Sequence, residues 1–547
     1  MDSKNIANRN NDVQDNCQLA SSDVDVIKSD SSNNSSSSNV SIHLENNSTP
    51  EISTKEAPKT LARGIQSWHV TLISLGGIIG SCYFLGTGLT FSEIGALPVL
   101  IAYLVAGISV FGTMQSFAEL LVNLPRHGNF ITYNKKFLGN ILTTGIGWAF
   151  WVNWVVYCPS ECLAFSYYLN HFYTIPFKNT AWSSFVWGAI CLMALTVLNL
   201  FKIKWFGHVE SAMSIAKIVV IVIFAIIAFF IWFGVIGKKV HPFTEEEVGF
   251  IGGKIIAQGE GSLGKRLFHQ GWLIIITYMI FILVNFEGTE IVGLEAAETE
   301  NPDKNIPKAC TNVSIQIVLI YIIPVIALVL IVPYEKANLD ESIFAYALTS
   351  YGLKWAGQLF TFVTLIAAFS CANSGLYASV RCVYGLSKEG LAPEFLSRLN
   401  KNTIPLNATI FTLVFIWAVF IFGFMTEALG LFGKGGNSFY GSLLGISGFT
   451  GTLMWAGIII SQIIFRFKLK RRGYSIEKDL VSKAFLYPYL HIFSAVMQIA
   501  AMILLIYLAM VDGSYLSFLW CVSFLQWVFM QLLHALVRQE LRLNQKK

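Results

Sequence analysis

Apolar runs of about 20 residues return along this chain, each long enough to cross a bilayer as a helix. The runs at 212–236 and 312–333 are the plainest. A chain built of such segments has lipid as its solvent, and in lipid every backbone polar group must be satisfied within the protein. Composition agrees: 54% of the 547 residues are hydrophobic and 13% charged, about half the charged share of a soluble domain. An ordinary cytosolic enzyme is excluded. A membrane β-barrel is excluded too, because its strands would alternate apolar and polar positions. The net charge of +5 lies largely in loops, so it argues orientation and not nucleic-acid binding. The expected fold is an all-α membrane protein.

Window reading places about twelve transmembrane helices. They fall near 69–95, 97–122, 142–170, 181–200, 210–236, 271–297, 312–333, 354–387, 406–425, 440–464, 484–510 and 514–535. Residues 1–60 are rich in Ser, Asn and Asp and nearly lack aromatics. Such a tail cannot bury enough apolar area to offset its ordering entropy, and it is expected to be disordered. It has no signal-peptide h-region, so it is expected to stay on the chain. Basic residues collect in alternate connections: Arg126, Lys135 and Lys136 after span two, Lys202 and Lys204 after span four, and Arg466 to Arg472 after span ten. Both termini are therefore expected on the cytoplasmic side. The nine cysteines lie mostly within apolar runs and form no Cys-x-x-Cys pair, which reads as packing and not as a metal or disulfide set. His69, His127, His171 and His208 fall at span ends and read as interfacial. With no nucleophile elbow or metal motif, enzymatic activity is not expected, nor is a cofactor.

Two spans are interrupted. The first carries Gly76, Gly77, Ile78, Ile79, Gly80 and Ser81, then Gly86 and Gly88. Each glycine lowers helix stability by about 1 kcal/mol relative to alanine. Close helix packing through small residues is one reading; a deliberate break lining a protected cavity is the other. The sixth span has Asn285, Phe286, Glu287, Gly288, Thr289 and Glu290 after an apolar run. A charge at mid-membrane costs roughly 2.5–3.5 kcal/mol even on the lenient scale, so two carboxylates flanking a glycine are not packing residues. Spans one and six open two five-span halves, and interruptions at corresponding positions point to a transporter with inverted repeats. Together they would fit a zwitterion, its carboxylate on bare N–H groups at Gly77–Ser81 and its ammonium at Asn285–Glu290.

Other buried polar residues are expected to matter. Lys217 is the only charge in 212–236; it either snorkels to a surface, with Glu210 near the interface, or carries a proton. Glu161 follows Pro159 in span three and either pairs with a cationic substrate or satisfies a kinked helix. Glu119, at the inner end of span two, is expected to meet an Arg or Lys, and Arg381 a structural carboxylate.

At these residues the chain resembles the amino acid–polyamine–organocation superfamily, in its bacterial and fungal amino acid permease branch, with the lysine-permease pattern in particular. The glycine-rich Ile73–Ser81, the stretch from Phe286 to Pro307, and Ala372–Arg381 followed by Glu389–Pro393 carry it, in the right order and spacing. The resemblance spans about residues 60–540. It implies a five-plus-five inverted repeat with broken helices one and six: repeat one about 66–236, repeat two about 268–465, two extra helices about 484–535, and a short cytoplasmic end at 541–547. It also implies transport of amino acids coupled to protons. Lys217 matches the family's fifth-helix lysine, which stands where a sodium ion would otherwise bind. Glu290 and Glu298 match sixth-helix acidic positions tied to lysine recognition. The chain departs from the pattern at Cys82 and Tyr83, whose bulk is expected to reshape the pocket, at Glu287, which replaces a polar or aromatic residue, and at Glu295.

The expectation is thus a proton-coupled importer of amino acids in the plasma membrane, leaning to lysine and arginine because Glu161, Glu287 and Glu290 load the cavity with negative charge. Its partners would be the amino acid, protons and the lipid bilayer, with no metal and no nucleic acid; the oligomeric state stays open. The rivals are a broad neutral amino acid permease, a permease-shaped sensor that does not transport, and an exchanger.

Overall fold

The computed structural model describes residues 78–512 apart from 125–128, 178–179, 201–205, 238–241, 244–249, 252–254, 256–267, 269–271, 292–309, 311–318, 338–340, 401–403, 430–438, 477–479 and 481. The expected tail, Gly76, Gly77, Glu295, Glu298 and the twelfth span lie outside the described residues. The described helices are α1 (Thr87–Ile94), entered through a π-helical turn at Cys82–Gly86, α2 (Ala96–Asn123), α3 (Phe130–Leu138), α4 (Asn140–Phe172), α5 (Thr180–Leu200), α6 (Phe206–Trp232), α7 (Leu273–Leu283), α8 (Leu319–Ile331), α9 (Ile343–Ser350), α10 (Lys354–Lys388), α11 (Leu406–Ala428), α12 (Phe439–Arg471) and α13 (Tyr489–Asp512). Among the described residues there is no strand. Eight of these helices are long and apolar enough to cross a membrane, and α8 and the segment Leu273–Phe286 are shorter apolar helices.

α4 is the hub. It packs most closely on α10 and α12, and further on α3, α5 and α11. Thiols are spent in that packing: Cys158 Sγ donates to Ala372 O at 3.3 Å, and Cys382 Sγ to Gly147 O at 3.2 Å. The seven described cysteines are free and buried, as packers are. A second group gathers around α2, which meets α7, α12 and α13. α6 shows its orientation in its spacing. Glu210, Ser214, Lys217, Ile221, Phe224 and Ala228 are buried, whereas Ile215, Val219, Val222 and Ile226 are exposed on the opposite, lipid-compatible face. Steps of four and three residues put each set on one side of a helix.

At the expected inner face, α3 is a short amphipathic helix. Asn129 caps it, its side-chain oxygen accepting from Ile131 N at 3.0 Å and Thr132 N at 3.3 Å. Lys135 on α3 pairs with Glu389 beyond α10 at 2.9 Å. Nearby, Glu119 on α2 meets Arg466 on α12, with Nε to Oε1 at 2.7 Å and Nη2 to Oε2 at 2.5 Å. Gln462 Nε2 and the backbone N–H of Ala484 also donate to Glu119. The guanidinium lies 3.8 Å over the Tyr487 ring. The cationic partner expected for Glu119 is therefore there, while Arg381 stacks on the ring of Tyr377. Removing one member of a buried pair costs roughly 3–5 kcal/mol, because the other charge is left uncompensated. Arg466→Met should accordingly lower the melting temperature of the detergent-solubilised protein. The double variant Glu119→Gln, Arg466→Met should recover most of the loss; equal losses for both would remove the pair from the account.

Candidate functional site

The first span is broken where the glycines suggested. Ile78 is helical, Ile79 and Gly80 are not, and helix runs on from Ser81. The freed Ile78 carbonyl accepts from Tyr321 Oη of α8 at 3.3 Å. On the other side of the break, the Ser81 N–H is shared between the two oxygens of Glu161, at 3.0 and 2.9 Å. A carboxylate at the start of a half-helix is favoured by the unpaired N–H groups and the helix dipole. The place expected for a substrate carboxylate is thus held by a side chain of α4. Gly80 makes this possible: a Cβ there would come within 3 Å of Glu161 Oε1, Cys371 Sγ and Tyr157 Oη. Ser81 Oγ completes the contact set with Tyr440 Oη of α12 at 3.1 Å.

The second break follows α7. The chain tightens into a 3₁₀ turn at Val284–Phe286, extends at Glu287, and turns at Gly288 with φ +103°, a conformation that a side chain strongly disfavours. Glu290 folds back on this turn. Its oxygens accept from the Gly288 N–H at 3.2 and 3.1 Å, and Oε2 from Trp455 Nε1 of α12 at 3.2 Å. Glu287 points elsewhere. Its Oε2 accepts from Ser447 Oγ of α12 at 2.9 Å, and Ser447 also bonds Asn153 Oδ1 of α4. Glu287 Oε1 and Asn153 Nδ2 are buried without a hydrogen-bond partner. Ser447 has one proton and cannot donate twice. Ser447 Oγ is therefore the acceptor in one of its two contacts.

The two breaks are joined through Tyr103 of α2. Asn285 Nδ2 donates to Tyr103 Oη at 2.7 Å, Tyr103 bonds Thr87 Oγ1 at 2.6 Å, and Thr87 donates to the Tyr83 carbonyl at 2.5 Å. Phe286 packs edge-on against Tyr321, centroids 5.1 Å apart. Tyr83 turns its bulk onto Tyr321 and Phe344, with centroids at 4.4 and 5.1 Å. Ile78, Gly80, Ser81, Glu161, Phe286, Glu287, Gly288 and Glu290 therefore form one buried neighbourhood.

Lys217 does not snorkel. It is fully buried, and its Nζ donates to Ser370 Oγ of α10 at 2.8 Å. Glu210 is buried as well, at the start of the apolar stretch Glu210–Trp232. Lys217 is close enough to both Glu210 and Glu161 for their charges to interact. Tyr157, Asn153, Tyr321, Tyr440, Ser447 and Trp455 were not anticipated. Tyrosine, serine and asparagine recur throughout such helices, so position alone does not mark them.

The amino acid permease family model matches residues 69–544. The chain belongs to the amino acid permease family. It is similar to the amino-acid permease RocE of Bacillus subtilis (strain 168), 32% identical over 430 residues, covering 79% of this permease and 86% of that one. The lysine-specific permease LysP of Lactococcus lactis subsp. cremoris (strain MG1363) is 32% identical over 468 residues, covering 83% and 85%. A putative histidine permease of Bacillus subtilis (strain 168) is 31% identical over 450 residues, covering 82% and 88%. The family resemblance read from the sequence is thus shown. This permease is a multi-pass membrane transporter of the amino acid class and not an enzyme.

Proposed function

We propose that this permease imports amino acids with a proton across the plasma membrane, and that it favours cationic side chains. In this reading the fold is completed to twelve spans as a five-plus-five inverted repeat plus two helices, within the boundaries expected from the sequence and with both termini cytoplasmic. The observation that carries it is the meeting of two broken spans around a buried carboxylate, Glu287, with one oxygen unmet. A buried carboxylate oxygen without a partner is costly, and a cation is the natural remedy. Relatives named for lysine and histidine add support.

Glu161 holds the N–H that the substrate carboxylate would use, so an entering amino acid displaces it. A proton on Glu161 eases that exchange, since a neutral carboxyl grips an N–H less firmly than a carboxylate does. Proton and substrate then favour each other. Glu290, whose oxygens are engaged by Gly288 and Trp455, shapes the second break, and the cation falls to Glu287.

The test is uptake of labelled lysine, leucine and glutamate, followed by competition with the twenty amino acids. Glu287→Gln should raise the KM for lysine by about one order of magnitude or more, since losing a buried charged partner costs roughly 2–5 kcal/mol. Leucine uptake per surface transporter should hold or rise. Equal losses for all three substrates would make Glu287 a structural group. Wild-type protein that never takes lysine or arginine would leave a neutral permease; uptake only into preloaded vesicles would mean an exchanger, and none at all a sensor.

A further inference from the structure

Glu210 has no part in the site so far, yet it is one of the most enclosed carboxylates in the molecule. It lies two turns before Lys217 on the buried stripe of α6, about 10 Å along the axis. That interval is bridged from outside the helix. Lys217 Nζ donates to Ser370 Oγ at 2.8 Å, and Ser370 Oγ donates to Glu210 Oε1. Ser374 Oγ, one turn further along α10, reaches the same oxygen at 3.5 Å. Glu210 Oε2 has no hydrogen-bond partner among the described residues. The groups facing Glu210 are Lys217 from its own helix and Ser370, Asn373 and Ser374 from α10. Asn199 of α5 holds Asn373 in place at 2.9 Å. Among the described residues Lys217 is thus the charged group that faces it. Glu210 also lies toward the end of α6 that the basic connection after span four places inside.

We propose that Glu210 is the inner proton acceptor of this permease, reached from Lys217 through the Ser370 hydroxyl. The proposal rests on the proton-coupled reading above. The step conserves charge and atoms. The Lys217 ammonium breaks one N–H bond and gives that proton to Ser370 Oγ. Ser370 breaks its own O–H bond and gives that proton to Glu210. An ion pair, ammonium and carboxylate, becomes a neutral pair, amine and carboxylic acid. One hydroxyl that accepts from the ammonium and donates to the carboxylate is the connection such a transfer needs, and a buried site brings the neutral pair within reach of the charged one. Release of the proton from Glu210 to the cytoplasm restores its carboxylate and leaves Lys217 a free amine, ready to take the next proton that enters with substrate.

Purified protein in liposomes with a pH dye inside reads protons entering per labelled substrate. In Glu210→Gln, which keeps an oxygen for Ser370 but takes no proton, proton entry per substrate should fall roughly 10²-fold, the scale of a lost acid–base group. Ser370→Ala should do the same, and Ser370→Thr, which keeps the hydroxyl, should stay near wild type. Wild-type proton entry in Glu210→Gln or in Ser370→Ala overturns the proposal. Should Glu210→Gln fail to insert, the Ser370→Ala and Ser370→Thr pair decides it. If wild-type protein moves substrate without protons, the coupled reading fails and this one with it. If Lys217→Ala uncouples while Glu210→Gln does not, only the role of Glu210 falls.

Discussion

Gly80→Val should abolish substrate binding while the protein still reaches the membrane. The added Cβ enters a space already closed by Glu161, Cys371 and Tyr157. Overpacking of this kind costs about 1–3 kcal/mol. A well-packed bundle can carry that, but at this point the cost falls on the carboxylate seat itself. Glu161 would be pushed off the Ser81 N–H, and a substrate carboxylate would meet the same obstruction. The expected result is loss of saturable binding, measured on purified protein, at near-normal surface abundance. Normal transport by Gly80→Val would mean that the substrate carboxylate binds elsewhere.

Lys217→Ala should end accumulation against a gradient while leaving measurable binding. The lysine is fully buried, and its neighbours are Ser370 and the charges of Glu210 and Glu161. Without the ammonium, the proposed path that returns a proton to the cytoplasm has no first member. One charge moved across 100 mV is worth about 2.3 kcal/mol. A neutral amino acid without its proton loses that drive, so for leucine the internal level should settle at the external one. Lysine carries its own charge and keeps part of its accumulation. Comparing the two at fixed membrane potential, with and without a pH gradient, is the decisive measurement. Undiminished leucine accumulation would return Lys217 to a purely structural part.

Long helices were legible because lipid leaves one solution for an apolar run of that length. Span three, expected at 142–170, is α4 at Asn140–Phe172, and span eight, at 354–387, is α10 at Lys354–Lys388. Span ten runs past its expected end at 464 to Arg471, because Lys468, Lys470 and Arg471 extend the helix beyond its apolar window. α3 and α9 fell within connections, since helices of that length leave no mark in a wide window. The breaks were legible at Gly80 and at Glu287–Gly288, where glycine and charge contradict a lipid-facing helix. Their partners were not. Glu161 is 80 residues from Ser81, and periodicity along a chain says nothing about what meets across it. Glu210 could have been placed: with Ser214 and Lys217 it shares a four-and-three spacing that only a buried face would use.

α12 holds a further consequence. Tyr440, Ser447, Trp455, Gln462 and Arg466 form a single stripe along it, and they reach Ser81, Glu287, Glu290 and, with the last two, Glu119. From Tyr440 to Arg466 is about 39 Å of helix, more than the thickness of the hydrocarbon core. A rod gripped at four depths cannot roll about its axis without letting go of every hold at once. It can tilt or slide as a lever, and a lever moves at both ends. A shift at Glu287 is then felt mechanically at the Glu119–Arg466 clasp, about 28 Å further along the same helix.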